Sequence, residues 1–178
     1  MLLNEITPFD LSDLKLNLDT KEKVEQWLIK QQIKDFYIHP DLTVDVGNNC
    51  DISQEELWEI PVKFGYINGD FRCTRNNLSS LTNFPSHVNG NLHCSYNFIR
   101  SLHNIHKQIK VINGNLETDE NQTNILGIFF IEGIEKAYVA NTFTKAFEII
   151  NRNLQYGKDV HKCQEELLEA GYSKLARF

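Results

Sequence analysis

A short motif returns at a nearly constant step between residues 46 and 127, and it constrains the fold more than any other property of the chain. Phe71-Arg72-Cys73-Thr74-Arg75-Asn76 recurs 21 residues later as Leu92-His93-Cys94-Ser95-Tyr96-Asn97, and a further 24 on as Leu116-Glu117-Thr118-Asp119-Glu120-Asn121. Each copy follows a turn: Ile67-Asn68-Gly69, Val88-Asn89-Gly90 and Ile112-Asn113-Gly114. Five and eight places past the Cys/Thr position stand Leu78 and Leu81, Ile99 and Leu102, Thr123 and Leu126. A divergent first copy lies 21 residues upstream, with Cys50, Ile52, Leu57 and Ile60 in the places of Phe71, Cys73, Leu78 and Leu81. A unit this short cannot bury its apolar face alone. The period therefore predicts stacked coils, a solenoid, and such architectures mostly bind rather than catalyse.

Alternation within the motif assigns its faces. Phe71 and Cys73, Leu92 and Cys94, Leu116 and Thr118 point inward, on short strands stacked in parallel. Asn76, Asn97 and Asn121 are expected to satisfy backbone groups where the chain turns out of the strand, forming a ladder from coil to coil. The glycines before each strand suit tight turns with positive φ. The outward positions remain: Arg72, Thr74 and Arg75, then His93, Ser95 and Tyr96, then Glu117, Asp119 and Glu120. This strip grades from basic to acidic around a central His and Tyr. Arg and Tyr are favoured interface anchors, and a charge gradient orients a partner. Partner binding is assigned to Arg72, Thr74, Arg75, His93, Ser95, Tyr96, Glu117 and Asp119, with ordinary solvation of the same side chains as the alternative.

The flanks read as caps on a single domain spanning residues 1–178. In the N-terminal part, 1–45, Asp19-Thr20-Lys21-Glu22 forms a capping box with Asp19 at the cap. It opens a helix over about residues 20–32 with Val24, Trp27, Leu28 and Gln31 on one side. Phe36-Tyr37-Ile38 and Leu42 to Val46 are strand-like around Pro40-Asp41. Residues 46–127 hold about four coils, and the period stops after Leu126. In the C-terminal part, 128–178, a strand is expected within Gly127–Gly133, with a further one at Ala137-Tyr138-Val139. A helix follows from Asn141-Thr142 with Phe143, Ala146, Phe147, Ile150 and Leu154 on its apolar face. A second helix, capped by Asp159, carries Val160, Cys163, Leu167 and Leu168 and stops at Gly171. A short closing helical turn, Tyr172 to Phe178, ends the chain.

Charge narrows the partners. Residues 1–60 hold 13 acids against 5 bases, residues 61–127 hold 4 against 6, and the remainder balances at 7 each. This distribution argues against a uniformly basic nucleic-acid binder. The acidic third suits either a basic partner or a solvated surface. No apolar run approaches the ~20 residues of a membrane span, and Met1-Leu2-Leu3 precedes Asn and Glu rather than a secretory leader. The four cysteines fall in repeat or helix positions rather than a disulfide framework, so a reduced, cytoplasmic protein is expected.

Chemistry is sought without result. No phosphate-binding Gly-rich loop, nucleophile elbow or zinc-protease motif occurs. His103 and His106 lack a nearby Cys or acid to complete a metal site. Cys73 and Cys94 belong to the interior, and Asp119 and Glu120 diverge as neighbours on a strand or turn. No catalytic residue, metal or cofactor is assigned, and the protein is read as non-enzymatic.

The step Gly-Asn/Asp-Leu/Phe-x-Cys-x-x-Asn-x-Leu-x-x-Leu runs over Gly69–Leu81 and Gly90–Leu102, with a weaker copy over Gly114–Leu126. It resembles the short leucine-rich-repeat-like coils of proteins encoded by tailed bacteriophages. Lys162 to Gly171 also resembles the tail that closes several of them. Thr118 and Thr123 and the longer third step depart from the pattern. The resemblance implies an α/β chain: a short leucine-rich-repeat-like solenoid with stacked parallel strands, capped by an N-terminal helix and C-terminal helices. It implies a partner among bacterial host proteins, such as a defence enzyme or toxin, blocked sterically in the host cytoplasm. Two alternatives stay open. One is nucleic-acid binding through the modest basic excess of residues 61–110, with Arg72, Arg75, Arg100, Lys107 and Lys110. The other is an enzyme with a site between the solenoid and the C-terminal helices.

Overall fold

The computed structural model describes residues 17–119, 123–139 and 144–177. Met1-Leu2-Leu3, Glu120, Asn121, the expected helix start at Asn141-Thr142-Phe143, and Phe178 lie outside them. The fold is α/β, with two five-stranded, mostly parallel sheets and helices at both ends. Strands are β1 (Phe36–Ile38), β2 (Val44–Val46), β3 (Cys50–Asp51), β4 (Phe64–Ile67), β5 (Phe71–Arg72), β6 (His87–Val88), β7 (Leu92–His93), β8 (Val111–Ile112), β9 (Asn115–Glu117) and β10 (Lys136–Tyr138). One sheet runs β1-β2-β4-β6-β8 and the other β10-β9-β7-β5-β3. Each repeat thus contributes one strand to each sheet, on either side of its Asn-Gly turn. The first sheet was not foreseen in the repeats. Its strands precede the recognisable motif and share no side-chain type beyond the inward Ile67, Val88 and Ile112.

Register follows the sequence step. Cys50 pairs with Phe71, Phe71 with Leu92 and Leu92 with Leu116. The period does not stop at Leu126, because Ala137 pairs in parallel with Leu116 and adds a fifth rung. The alternation persists there, but Ile134-Glu135 stands in the place of Asn-Gly and Val139 in that of the Cys, so the markers are gone. The expected strand within Gly127–Gly133 is instead a 3-10 helix, Ile125–Phe130, with Ile125 to Phe129 buried. Only Glu132 keeps strand pairing, with Val111.

Inward residues of both sheets form one core: Val46, Phe64, Ile67, Phe71, Cys73, Val88, Leu92, Cys94, Ile112 and Leu116 are all at most 1% exposed. Phe71 sits between Phe64 and Phe84, with ring centroids at 5.3 and 5.9 Å. Residues Ile52 and Ile60 of the divergent first copy are equally buried.

The repeat glycines have a different basis from the expected one. Gly69, Gly90 and Gly114 do not have positive φ. A Cβ on Gly90 would stand 2.8 Å from the Gly69 carbonyl carbon, and one on Gly114 2.7 Å from the Gly90 oxygen. Glycine is needed because neighbouring turns touch backbone to backbone.

Helices close both ends. α1 (Lys21–Lys30) is capped by Thr20, whose hydroxyl accepts from the Lys23 N–H, and not by Asp19. Asp19 pairs with the Lys23 ammonium at 2.7 Å instead. Val24, Trp27 and Leu28 bury that helix, while Gln31 falls at its C-cap. α2 (Ile105–Gln108) is a single turn between rungs. α3 (Lys145–Gln155) is capped by Thr144, and α4 (Val160–Glu169) by Asp159, whose carboxylate accepts from the Lys162 N–H at 2.9 Å. At the β10 edge the Asn151 side chain imitates a further strand. Its Oδ1 accepts from the Ala137 N–H at 2.7 Å and its Nδ2 donates to the Ala137 carbonyl at 3.0 Å. Unpaired strand edges invite association, and this amide removes one such pair of groups.

Candidate functional site

The strip of outward residues on the second sheet is the place to look for function, and the structure divides it into two parts. The first part is paired within itself except at His93 Nε2, which is buried without a hydrogen-bond partner. Arg72, His93 and Glu117 stand in adjacent registers. The Arg72 guanidinium donates to the Asp70 carboxylate at 2.7 Å, and His93 Nδ1 meets Glu117 Oε2 at 2.7 Å. His93 Nε2 lies 3.8 Å from Asp70 Oδ2. His93 was expected to face solvent, yet it is only 9% exposed. The longer Arg72 and Glu117 side chains, one rung to each side, and Asp70 close over the ring. These charges hold one another in place.

Asp70 was missed as the centre of this group. Its Oδ1 accepts from both the backbone N–H and the side-chain amide of Asn91, at 2.9 and 3.0 Å. It belongs to a column, Asn49, Asp70, Asn91, in which each side-chain oxygen accepts the N–H of the next rung. The signal was present as the Asn or Asp directly after each Gly. Burial tends to raise its pKa, but the Asn91 N–H, the Arg72 guanidinium and the Asn91 amide hold it below the usual carboxylate value.

Other strip residues are also engaged. Thr74 donates its hydroxyl to Ser53 Oγ at 3.1 Å. The Asp119 carboxylate accepts from the Tyr96 N–H and, at 3.1 Å, from the Asn97 N–H. Burial pushes the Asp119 carboxyl up despite those two bonds. Ser95 is half-buried in the same column as Thr74 and Asp119.

The second part of the strip is open. Tyr96 is 70% exposed, and the Arg75 guanidinium lies over its ring at 5.5 Å from the centroid. The backbone explains this. Gln54, Arg75 and Tyr96 occupy one column and all adopt the left-handed region, with φ of 63, 56 and 59°. A non-glycine residue there costs about 1 kcal/mol, and the following asparagine offsets it. Asn76 Oδ1 accepts from the Glu55 and Leu57 N–H groups, both at 3.0 Å, while Nδ2 donates to the Ile52 and Cys73 carbonyls at 2.9 and 3.0 Å. Asn97 repeats the pattern toward Leu78, Cys73 and Cys94. The same turn that draws the Asn in throws the preceding residue out.

Two further exposed aromatics stand at this corner, Phe98 at 54% and Trp58 at 66%. The Phe98 N–H donates to the Leu78 carbonyl and the Asn77 N–H to the Leu57 carbonyl, which fixes Glu56, Asn77 and Phe98 as one column. Trp58, Ser79 and exposed Arg100 form the column on the far side of Leu57, Leu78 and Ile99. Large aromatics at outward places of a repeat are visible in the sequence, yet Phe98 and Trp58 carry no expectation of binding, and Arg100 enters only with the nucleic-acid alternative.

Two members of the basic set proposed for nucleic acid are engaged within the chain. Arg72 is paired with Asp70, and the Lys110 ammonium donates to the His106 and Lys107 carbonyls at 2.8 and 3.0 Å. His106 stacks against Phe130 at 5.2 Å, and burial lowers its pKa. Burial pushes the thiols of Cys94 and Cys163 up to about 12 and those of Cys50 and Cys73 up as well, so all four are protonated and poorly nucleophilic. Among the described residues, no group of three or more His, Cys, Asp and Glu is placed to hold a metal ion. An open depression of about 430 Å³ lies near the first rungs, lined by Gln32, Lys34, Asn48, Asn49 and Asn68. The enzyme alternative puts its site between the repeats and the C-terminal helices, where Asn151 and the contact of Tyr138 with Phe147 at 5.4 Å join α3 to β10. No helix among the described residues is long and apolar enough to cross a membrane.

No protein-family model, curated protein or solved structure matches the chain.

Proposed function

We propose that the repeats wind as one continuous leucine-rich-repeat-like solenoid and that the protein binds another protein, without chemistry of its own, through the corner where rungs turn out of the second sheet. One observation carries this reading: the exposed Arg75–Tyr96 stack flanked by Phe98, Trp58 and Arg100. Aromatic and Arg side chains bring large contact area at low entropic cost, and such residues dominate interface energetics. The remainder of the strip supports the corner rather than contacting a partner, because Arg72, Thr74, Glu117 and Asp119 are engaged within the chain.

Action is steric: a rigid surface occludes the site of its partner. The resemblance of the repeat to phage-encoded coils makes a bacterial host protein, such as a defence enzyme or toxin, the expected target in the host cytoplasm. The test compares proteins captured by the wild-type chain, by Arg75→Glu/Tyr96→Ala and by Glu117→Gln. The account expects the corner variant to lose its captured protein and Glu117→Gln to keep it. Identical capture by all three contradicts it. Nucleic acid is addressed by titration with single-stranded RNA and DNA at low and moderate salt, where no salt-dependent binding is expected.

A further inference from the structure

The corner surface carries its own complement, and we infer that its occupant is a second copy of this chain. This rests on the corner being a protein-binding surface. Exposed Glu55 and Glu56 lie on the rung that begins at β3. Two rungs away, about 10 Å on at the spacing of paired strands, lie Tyr96, Phe98 and Arg100, and Arg75 reaches over Tyr96 from the rung between. Acid therefore stands on one side of Asn77 and base on the other.

A two-fold axis parallel to the strands and passing by Asn77 keeps each column and exchanges the outer rungs. Trp58 then faces Arg100 of the second copy, a cation over an indole ring. Glu56 faces Phe98, and Glu55 and Glu56 approach the Arg75 that lies over Tyr96. Each contact occurs twice, as an isologous interface requires. Aromatic and charged side chains thus meet one another on the two outer rungs, on both sides of the axis, and the opposed charges direct two surfaces into one register. A host protein would bind in competition with the second copy.

Sedimentation of the full chain over a range of concentrations tests this with two variants, Glu55→Lys/Glu56→Lys and Arg75→Glu/Arg100→Glu. All four positions are exposed, so folding is retained and circular dichroism verifies it. The wild type is expected to be a dimer, each variant to dissociate at least about tenfold more readily, and an equimolar mixture to regain dimers by opposite charge. A wild type that stays monomeric, or a mixture that fails to pair, overturns the dimer. If the monomeric wild type still captures a protein that Arg75→Glu/Tyr96→Ala loses, the dimer alone falls. If that variant changes nothing, the binding surface falls with it.

Discussion

At the scale of the residue, the asparagine after each left-handed turn does most to hold the rungs together. Asn76 makes four hydrogen bonds to backbone groups of its own and the preceding rung. Asn76→Ala leaves those groups partly buried and unpaired, at a cost of about 3 kcal/mol in urea-induced unfolding. Gly90→Ala is expected to cost about 1–3 kcal/mol, because its Cβ meets the Asp70 carboxylate and also the Gly69 and Asp70 backbone, which cannot yield. Two carboxylates give opposite signs with pH. Asp70 is held below its ordinary 3.8, so its contribution is present above that pH and is lost as pH falls through the lower folded value. Asp119 is raised above 3.8, so its ionisation lowers stability as pH rises from there through the raised folded value. Asp70→Asn should therefore flatten the acid limb of the stability profile, and Asp119→Asn should remove an opposing slope. Stability measured by denaturant titration from acid to neutral pH checks both.

At the scale of the element, much was legible because the repeat is strict. Phe71, Leu92 and Leu116 could be aligned by eye, and their pairing follows that alignment. The capping of α4 by Asp159 was equally plain. The strand at Ala137 was legible too, but its place as a fifth rung was not, because Ala137 carries none of the markers that identify the others. Its edge is closed by Asn151, fourteen residues away on another element, and no local pattern announces that contact. Asn151→Ala should therefore raise the exchange rate of the Ala137 amide while leaving the Cys73 amide, bonded to the His93 carbonyl, protected. Equal loss at both would show that the cap is part of one cooperative unit. The candidate strip was legible as a row of outward positions. Which of them are free was not, since that depends on Asp70 and on the length of Arg72 and Glu117 beside His93.

At the scale of the whole molecule, the repeat separates scaffold from surface. Cysteines belong to the scaffold, so all four thiols should resist a disulfide reagent near neutral pH and react only once the chain is unfolded. One thiol reacting rapidly in the native state would restore a nucleophile to consideration. The surface, on this account, is the corner at Arg75 and Tyr96. The most direct measurement replaces Tyr96 with a photo-crosslinking phenylalanine derivative and, for comparison, does the same at Tyr66 on the outer face of the first sheet. Irradiation in cells is expected to trap a discrete protein, either a second copy or another chain, from position 96 and not from position 66. A discrete product from Tyr66 alone would place binding on the other sheet and contradict the account.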